Sequence, residues 1–115
     1  MSPVTKPETA EGERYIGAIV DAQGTTTHII LLPGSTKADW KSAMKWAASI
    51  GGDLPNRVEQ ALLFATAKDE FKAAAYWSNV SESGWAWYQY FDIGTQITSL
   101  KLNGLRARAV RRLTI

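Results

Sequence analysis

The spacing of apolar and polar positions changes several times along the chain, and each change marks an element. Residues 15–20 (YIGAIV) are apolar and partly β-branched, 21–24 (DAQG) carry turn chemistry, and 25–32 return β-branched before Pro33-Gly34. Two such runs about a short glycine-containing loop predict an antiparallel hairpin. Trp40, Ala43, Met44, Ala47 and Ile50 then recur at helical spacing, with Lys37, Lys41 and Lys45 on another face. Ser35-Thr36 is the expected cap of this helix, Asp39 its acidic third residue, and Gly51-Gly52 its stop. Asn56 is placed to cap a second helix and Glu59 to reciprocate, with Pro55 just outside it. Val58, Ala61, Leu62 and Ala65 form its expected core stripe, flanked by Phe64 and Phe71, and the helix is expected to end near Phe71.

Beyond Ala75 the period shortens to two. Residues 76–78 read as a short strand, 79–84 as a polar loop, and 85–91 (WAWYQYF) as the strongest strand signal in the chain. Alternation puts Trp85, Trp87, Gln89 and Phe91 on one face and Ala86, Tyr88 and Tyr90 on the other. A turn at 92–94, a strand at 95–100, a turn at 103–104 and a last strand at 105–113 complete a meander. Hairpin, two helices and antiparallel meander together predict an α+β fold. Residues 1–13, with two prolines and three glutamates, are expected to be a loose tail ahead of a single domain over 14–115.

Composition narrows the chemistry. With 115 residues, 45% apolar and 21% charged, the chain has the size and balance of one globular domain. The absence of cysteine excludes disulfides, thiolate zinc sites and cysteine nucleophiles. The single histidine, His28, sits in a predicted strand between Thr27 and Ile29, which argues against a metal centre or a Ser-His-Asp relay. Ser78, Ser81 and Ser83 have no base at a recognisable spacing, and no glycine-rich phosphate loop is present. Paired carboxylates such as Asp69-Glu70 fall at the polar end of a helix, where solvation accounts for them. These features predict no catalytic residues, no cofactor and no metal. No apolar run approaches the ~18 residues of a membrane span, and no charged-then-apolar leader opens the chain. The expectation is a cytoplasmic protein with no membrane contact.

Charge and aromatic content point to binding. Residues 1–100 carry eight Lys/Arg and eleven Asp/Glu, whereas Lys101, Arg106, Arg108, Arg111 and Arg112 follow with no acid. Such a terminus either attracts phosphate and acidic surfaces or pairs with carboxylates elsewhere in the fold, and the second reading is preferred. Tyr76, Trp77, Trp85, Trp87, Tyr88 and Tyr90 put six large rings within fifteen residues. Trp77, Trp87 and Phe91 are expected in the core, and Trp85, Tyr88 and Tyr90 on the surface. Together with Arg106, Arg108 and Arg112, these three form the candidate binding surface, because aromatic rings beside arginines serve protein hot spots and single-stranded nucleic acids alike.

Several segments recur in a familiar order. They are Trp40, Ala43, Trp46 and Ala47; Gly51-Gly52; 54–59 (LPNRVE); Tyr76-Trp77-Ser78; Ala86-Trp87 with Phe91 and Gly94; and 106–112 (RARAVRR). Across residues 14–113 the chain resembles a bacterial and phage family of unknown function with a C-type-lectin-like fold, related to C-terminal domains of collagen-like bacterial adhesins. The resemblance implies adjacent N- and C-terminal strands, two helices packed on them, and long loops from the second half. It also implies a non-enzymatic binding module, encoded by a phage or prophage and acting on a host protein. Nucleic acid bound through the C-terminal arginines, or a place as a virion or fibre subunit, are the alternative roles, and carbohydrate ranks below a protein ligand. The calcium motifs of sugar-binding lectins are missing: Pro55-Asn56 follows Leu54 at a helix cap, and Ser78-Asn79 follow Trp77 with no carboxylate cluster nearby.

Overall fold

The computed structural model describes residues 6–114, so the first five positions of the expected tail lie outside the described residues. The N-terminal hairpin forms as expected from β1 (Arg14–Val20) and β2 (Thr26–Leu31), paired antiparallel. Its turn is held by Asp21, whose Oδ1 accepts from the N–H groups of Gln23 and Thr25 at 2.9 Å. Residues 10–13 are docked against the domain, in contrast to the loose tail predicted there. They make a turn in which Glu13 N–H donates to the Ala10 carbonyl, and the Glu13 carboxylate receives two hydrogen bonds of 2.9 Å from Arg111.

Residues 36–38 correct the start of the first helix. They form a short strand, β3 (Thr36–Ala38), and α1 (Trp40–Ser49) is capped by Asp39, whose side chain accepts from Ser42 N–H at 2.7 Å. A partner strand far along the chain satisfies the backbone of 36–38, so Ser35-Thr36 has no helix to cap. Gly51, with φ of 84°, ends α1 as expected, but Gly52 has a different role. A Cβ there would lie 2.6 Å from Leu32 Cδ1 and 2.7 Å from the Val110 carbonyl oxygen, so only glycine lets these backbones approach.

The second helix, α2 (Arg57–Ala67), starts with the expected capping box between Asn56 and Glu59 and runs into a 3₁₀ turn, Lys68–Glu70. Its core face is not the expected stripe. Val58, Ala61 and Ala65 are exposed, and the helix instead buries Glu59, Gln60, Leu63 and Ala67. The two buried polar residues have partners waiting. Arg112 grips Glu59 with Nε and Nη2 at 2.6 and 2.7 Å, and Gln60 Nε2 donates to the carbonyls of Tyr76 and Trp77. These hydrogen bonds turn this helix by roughly one residue's rotation from the apolar stripe read off the sequence, and leave only Gln60 Oε1 without a partner on this helix face among the described residues.

The second half forms β4 (Ala75–Glu82), β5 (Trp85–Tyr90), β6 (Gln96–Leu100), β7 (Leu105–Ala107) and β8 (Val110–Thr114). β4 extends through the expected polar loop, with a register shift between Trp77 and Ser81. The expected last strand is broken at residues 108–109, and its halves join different sheets. β7 lies between β3 and β4, parallel to β4, while β8 pairs with β2. Two sheets result, ordered β1-β2-β8 and β3-β7-β4-β5-β6. The N- and C-terminal strands share a sheet but are not neighbours, because β2 lies between β1 and β8, and the connections among β4–β8 are tight turns of at most five residues rather than long loops. The molecule is an α+β domain, and among the described residues no helix is long and apolar enough to cross a membrane.

One apolar cluster joins Ile16, Ile29, Leu31, Leu63, Phe91 and Val110 beneath α2. A second joins Leu54, Ala43, Ala47, Trp77, Ala86 and Ala107 beneath α1. Trp40 Nε1 fastens α1 to the larger sheet by donating to the Ser78 carbonyl at 2.8 Å, and Trp77 Nε1 ties β4 to β3, just ahead of α1, by donating to the Ala38 carbonyl at 2.9 Å.

Three outcomes follow from these contacts. Glu59→Ala strands a partly buried guanidinium and removes the reciprocal half of the α2 capping box, so a loss of about 3 kcal/mol is expected in chemical denaturation. Gly52→Ala is expected to cost about 1–3 kcal/mol by overpacking, against near-neutrality for the exposed Gly104→Ala. Arg111 lowers the Glu13 carboxyl from 4.5 to about 2 by hydrogen bonding, aided by Ala10 N–H. The folded value lies below the unfolded one, so this stabilisation is complete above pH 4.5 and disappears as pH falls toward 2. A carboxyl-detected NMR titration should show Glu13 at about 2, moving up toward 4.5 in Arg111→Ala.

Candidate functional site

Alternation along β5 distributes its side chains to opposite faces of the larger sheet. Trp85, Trp87 and Gln89 share a face with their β6 partners Leu100, Thr98 and Gln96, and α2 lies over part of this face. Ala86, Tyr88 and Tyr90 point to the face that carries α1, beside Ile97 and Ser99. Trp85, Tyr88 and Tyr90 are therefore not brought together into one surface. Trp85 is 49% exposed and Tyr90 40%, whereas Tyr88 is half-buried between the Trp77 and Tyr90 rings, edge-on to both. Burial, reinforced by the Tyr90 hydroxyl, pushes the Tyr88 phenol up to about 12. Trp77 and Phe91 are buried as expected, whereas Trp87 is only half-buried, with a cation stacked on its ring.

The candidate arginines also separate. Arg112 binds Glu59 and reaches Asp53 with Nη1 at 2.8 Å, and Arg111 binds Glu13. Arg108, in the break between β7 and β8, donates to the carbonyls of Glu70 and Leu32 and pairs with the Glu70 carboxylate at 3.6 Å. Arg106 lies on β7 opposite Lys37 and Tyr76, two strands away from β5. Three of the five C-terminal cations are thus held by internal carboxylates. His28 is buried, with Nδ1 2.8 Å from the Tyr15 hydroxyl.

The arrangement that does converge involves residues the sequence reading passed over. The guanidinium of Arg57, at the start of α2, stacks 3.6 Å from the centre of the Trp87 ring. Its Nε donates to Gln96 Oε1 at 2.9 Å. Gln96 Nε2 donates in turn to the Arg57 carbonyl at 2.7 Å and to Gln89 Oε1 at 2.9 Å. Gln89 Nε2 then donates to the Gln60 carbonyl at 2.8 Å. This chain of amides fixes Arg57 between α2 and the β5–β6 hairpin, so its rotamer entropy is already lost before any ligand arrives. Among the described residues no carboxylate lies within ion-pair distance of Arg57.

Beside Arg57 runs an open groove of about 730 Å³. Val58, Ala61 and Phe64 of α2 form one wall, Ile93 and Gly94 close one end, and Gln89 and Gln96 form the polar floor. Gly94 has φ of 82°, and a Cβ on it would sit 3.0 Å from the Phe64 ring, so the turn can lie flat against that ring only with glycine. Val58 is 62% exposed and Ile93 72%, which leaves a large apolar surface facing solvent. The one advance signal of this site was Gln89, an amide among aromatic residues on a face otherwise apolar. No protein-family model matches the chain, and no curated protein sequence matches it.

The titration of Tyr88 checks the burial assigned to it. Phenolate absorbance should reveal one tyrosine ionising at about pH 12, and Trp77→Ala, which opens its surroundings, should lower that value toward 10.

Proposed function

We propose that this chain is a non-enzymatic binding module that docks a protein partner on the face formed by α2 and the β5–β6 hairpin. One observation carries the reading: an immobilised cation without a carboxylate partner flanks an exposed apolar groove. A planar guanidinium held on an indole suits a carboxylate on the partner, and the Val58–Phe64–Ile93 walls suit an apolar side chain beside it. Trp85 and Leu100, exposed on the same face, extend that surface along the hairpin. The aromatic and basic character expected from the sequence is retained, with Arg57 in place of the C-terminal arginines. Three of those four arginines, Arg108, Arg111 and Arg112, are taken up by Glu13, Asp53, Glu59 and Glu70, which leaves little support for nucleic acid as the ligand. The resemblance to bacterial and phage domains with a C-type-lectin-like fold favours a host protein as partner and carries no argument for catalysis.

The test is affinity capture on immobilised protein from bacterial lysate, comparing wild type with Arg57→Glu and Val58→Asp, both at exposed positions. Each variant is expected to reduce recovery of the same partner by about tenfold or more, as hot-spot losses do. Lys41→Glu, on the exposed side of α1, should leave it unchanged. Full recovery with both groove variants overturns the reading.

A further inference from the structure

Natural sheets protect their edges with charge, proline, bulges or brevity, because an unpaired row of N–H and C=O groups recruits another strand. Three of the four edges here are protected in this way. β1 carries a bulge between Tyr15 and Gly17, β3 is three residues long and bears Lys37, and β8 carries Arg111 and Arg112. β6 has none of these devices. It is the outermost strand of the larger sheet, pairs with β5 without a register shift, and reads QITSL, with no charged residue anywhere from 93 to 100.

The hydrogen-bond phase of β6 fixes which groups are open. Tyr90 N–H donates to the Thr95 carbonyl and Lys101 N–H to the Gly84 carbonyl, both at 2.9 Å, so the odd-numbered residues of this strand face β5. The backbone groups of Gln96 and Thr98 and the N–H of Leu100 therefore point away from the sheet, while the Leu100 carbonyl accepts from Asn103 N–H at 3.0 Å. Their side chains project to the face where Arg57 and the groove lie. An added strand, ~4.8 Å farther out, would send alternate side chains into the groove between β6 and α2.

We propose that β6 accepts an extended segment of a partner protein as an additional strand, and that this segment carries an apolar residue and an acidic residue two positions apart. The apolar side chain enters the groove beside Val58 and Ile93, and the carboxylate meets Arg57. Main-chain pairing with Gln96, Thr98 and Leu100 supplies affinity, and the two side-chain contacts supply selection. Charge complementarity decides for such a segment over a second copy of this chain, since a copy's β6 offers no carboxylate to Arg57. The inference rests on the binding-module reading and adds the mode and chemical class of the ligand.

Two capped hexapeptides serve as probes, threonine throughout except for one glutamate and one leucine two positions apart, one peptide in each order. Titrated into isotope-labelled protein to about 2 mM, where even millimolar affinity is visible, one of them should shift the amides of Gln96, Thr98 and Leu100 and the Trp87 indole. Hydrogen exchange at those three amides should slow. Replacing the glutamate by glutamine, or Arg57 by alanine, should weaken binding about tenfold, and N-methylation of alternate peptide amides should abolish it. Self-association through β6 would appear instead as a concentration-dependent shift of the same amides without peptide, and it overturns the proposal. So does the absence of shifts with both peptides, or equal binding by the N-methylated form. If partner capture remains sensitive to Val58→Asp while the peptides fail, groove docking stands and strand addition falls.

Discussion

The bidentate pair between Arg112 and Glu59 is the joint on which the architecture turns. Glu59 is 2% exposed, and a carboxylate that far from water is stable only with its partners in place. They come from two directions. Asn56 N–H closes the helix cap on Oε1, and Arg112, in the middle of β8, covers both oxygens. The same guanidinium reaches Asp53 and the Leu54 carbonyl, and Asp53 is itself bridged by its backbone to Val110. The start of α2, the linker before it and the C-terminal strand are thereby fixed as one unit.

The rest of the site follows from that orientation. With Glu59 and Gln60 turned inward, the opposite side of α2 must present Val58 and Ala61 to solvent, and Arg57 falls over Trp87. Gln60 then supplies the hydrogen-bond link to β4, and Gln89 and Gln96 carry it outward across β5 and β6. A helix that had buried its apolar stripe would have closed the groove. The interior polar contacts and the exposed apolar surface are two consequences of one rotation.

The excess positive charge of the last fifteen residues has a structural destination. Breaking the final strand at residues 108–109 lets β7 join the larger sheet and β8 the smaller one, so this segment holds the two sheets together. Its arginines reach acids contributed by the N-terminal segment, by α2 and by the turn that follows it. The charge gradient along the chain is thus neutralised in space. The cation stacked on Trp87 comes instead from Arg57, in the acidic part of the sequence.

Local chemistry was legible in the sequence. The hairpin, the Asn56–Glu59 capping box, the glycine stop at 51 and the aromatic strand at 85–90 depend on neighbours a few residues away, and all are present. What depended on distant partners was not legible. Residues 36–38 became a strand because β7 waits beside them, and the final strand divided because its halves find different sheets. Trp85 and Tyr88 could be assigned to opposite faces by alternation, but not to groove or core, since α1 and α2 decide what covers each face. The sequence by itself determined the elements and their α+β order, because caps, turns and periodicity act within one or two turns of chain. The tertiary structure alone decided which face of α2 is buried and which arginines are paired, because a buried charge goes where its counter-ion lies, and that ion is more than fifty residues away.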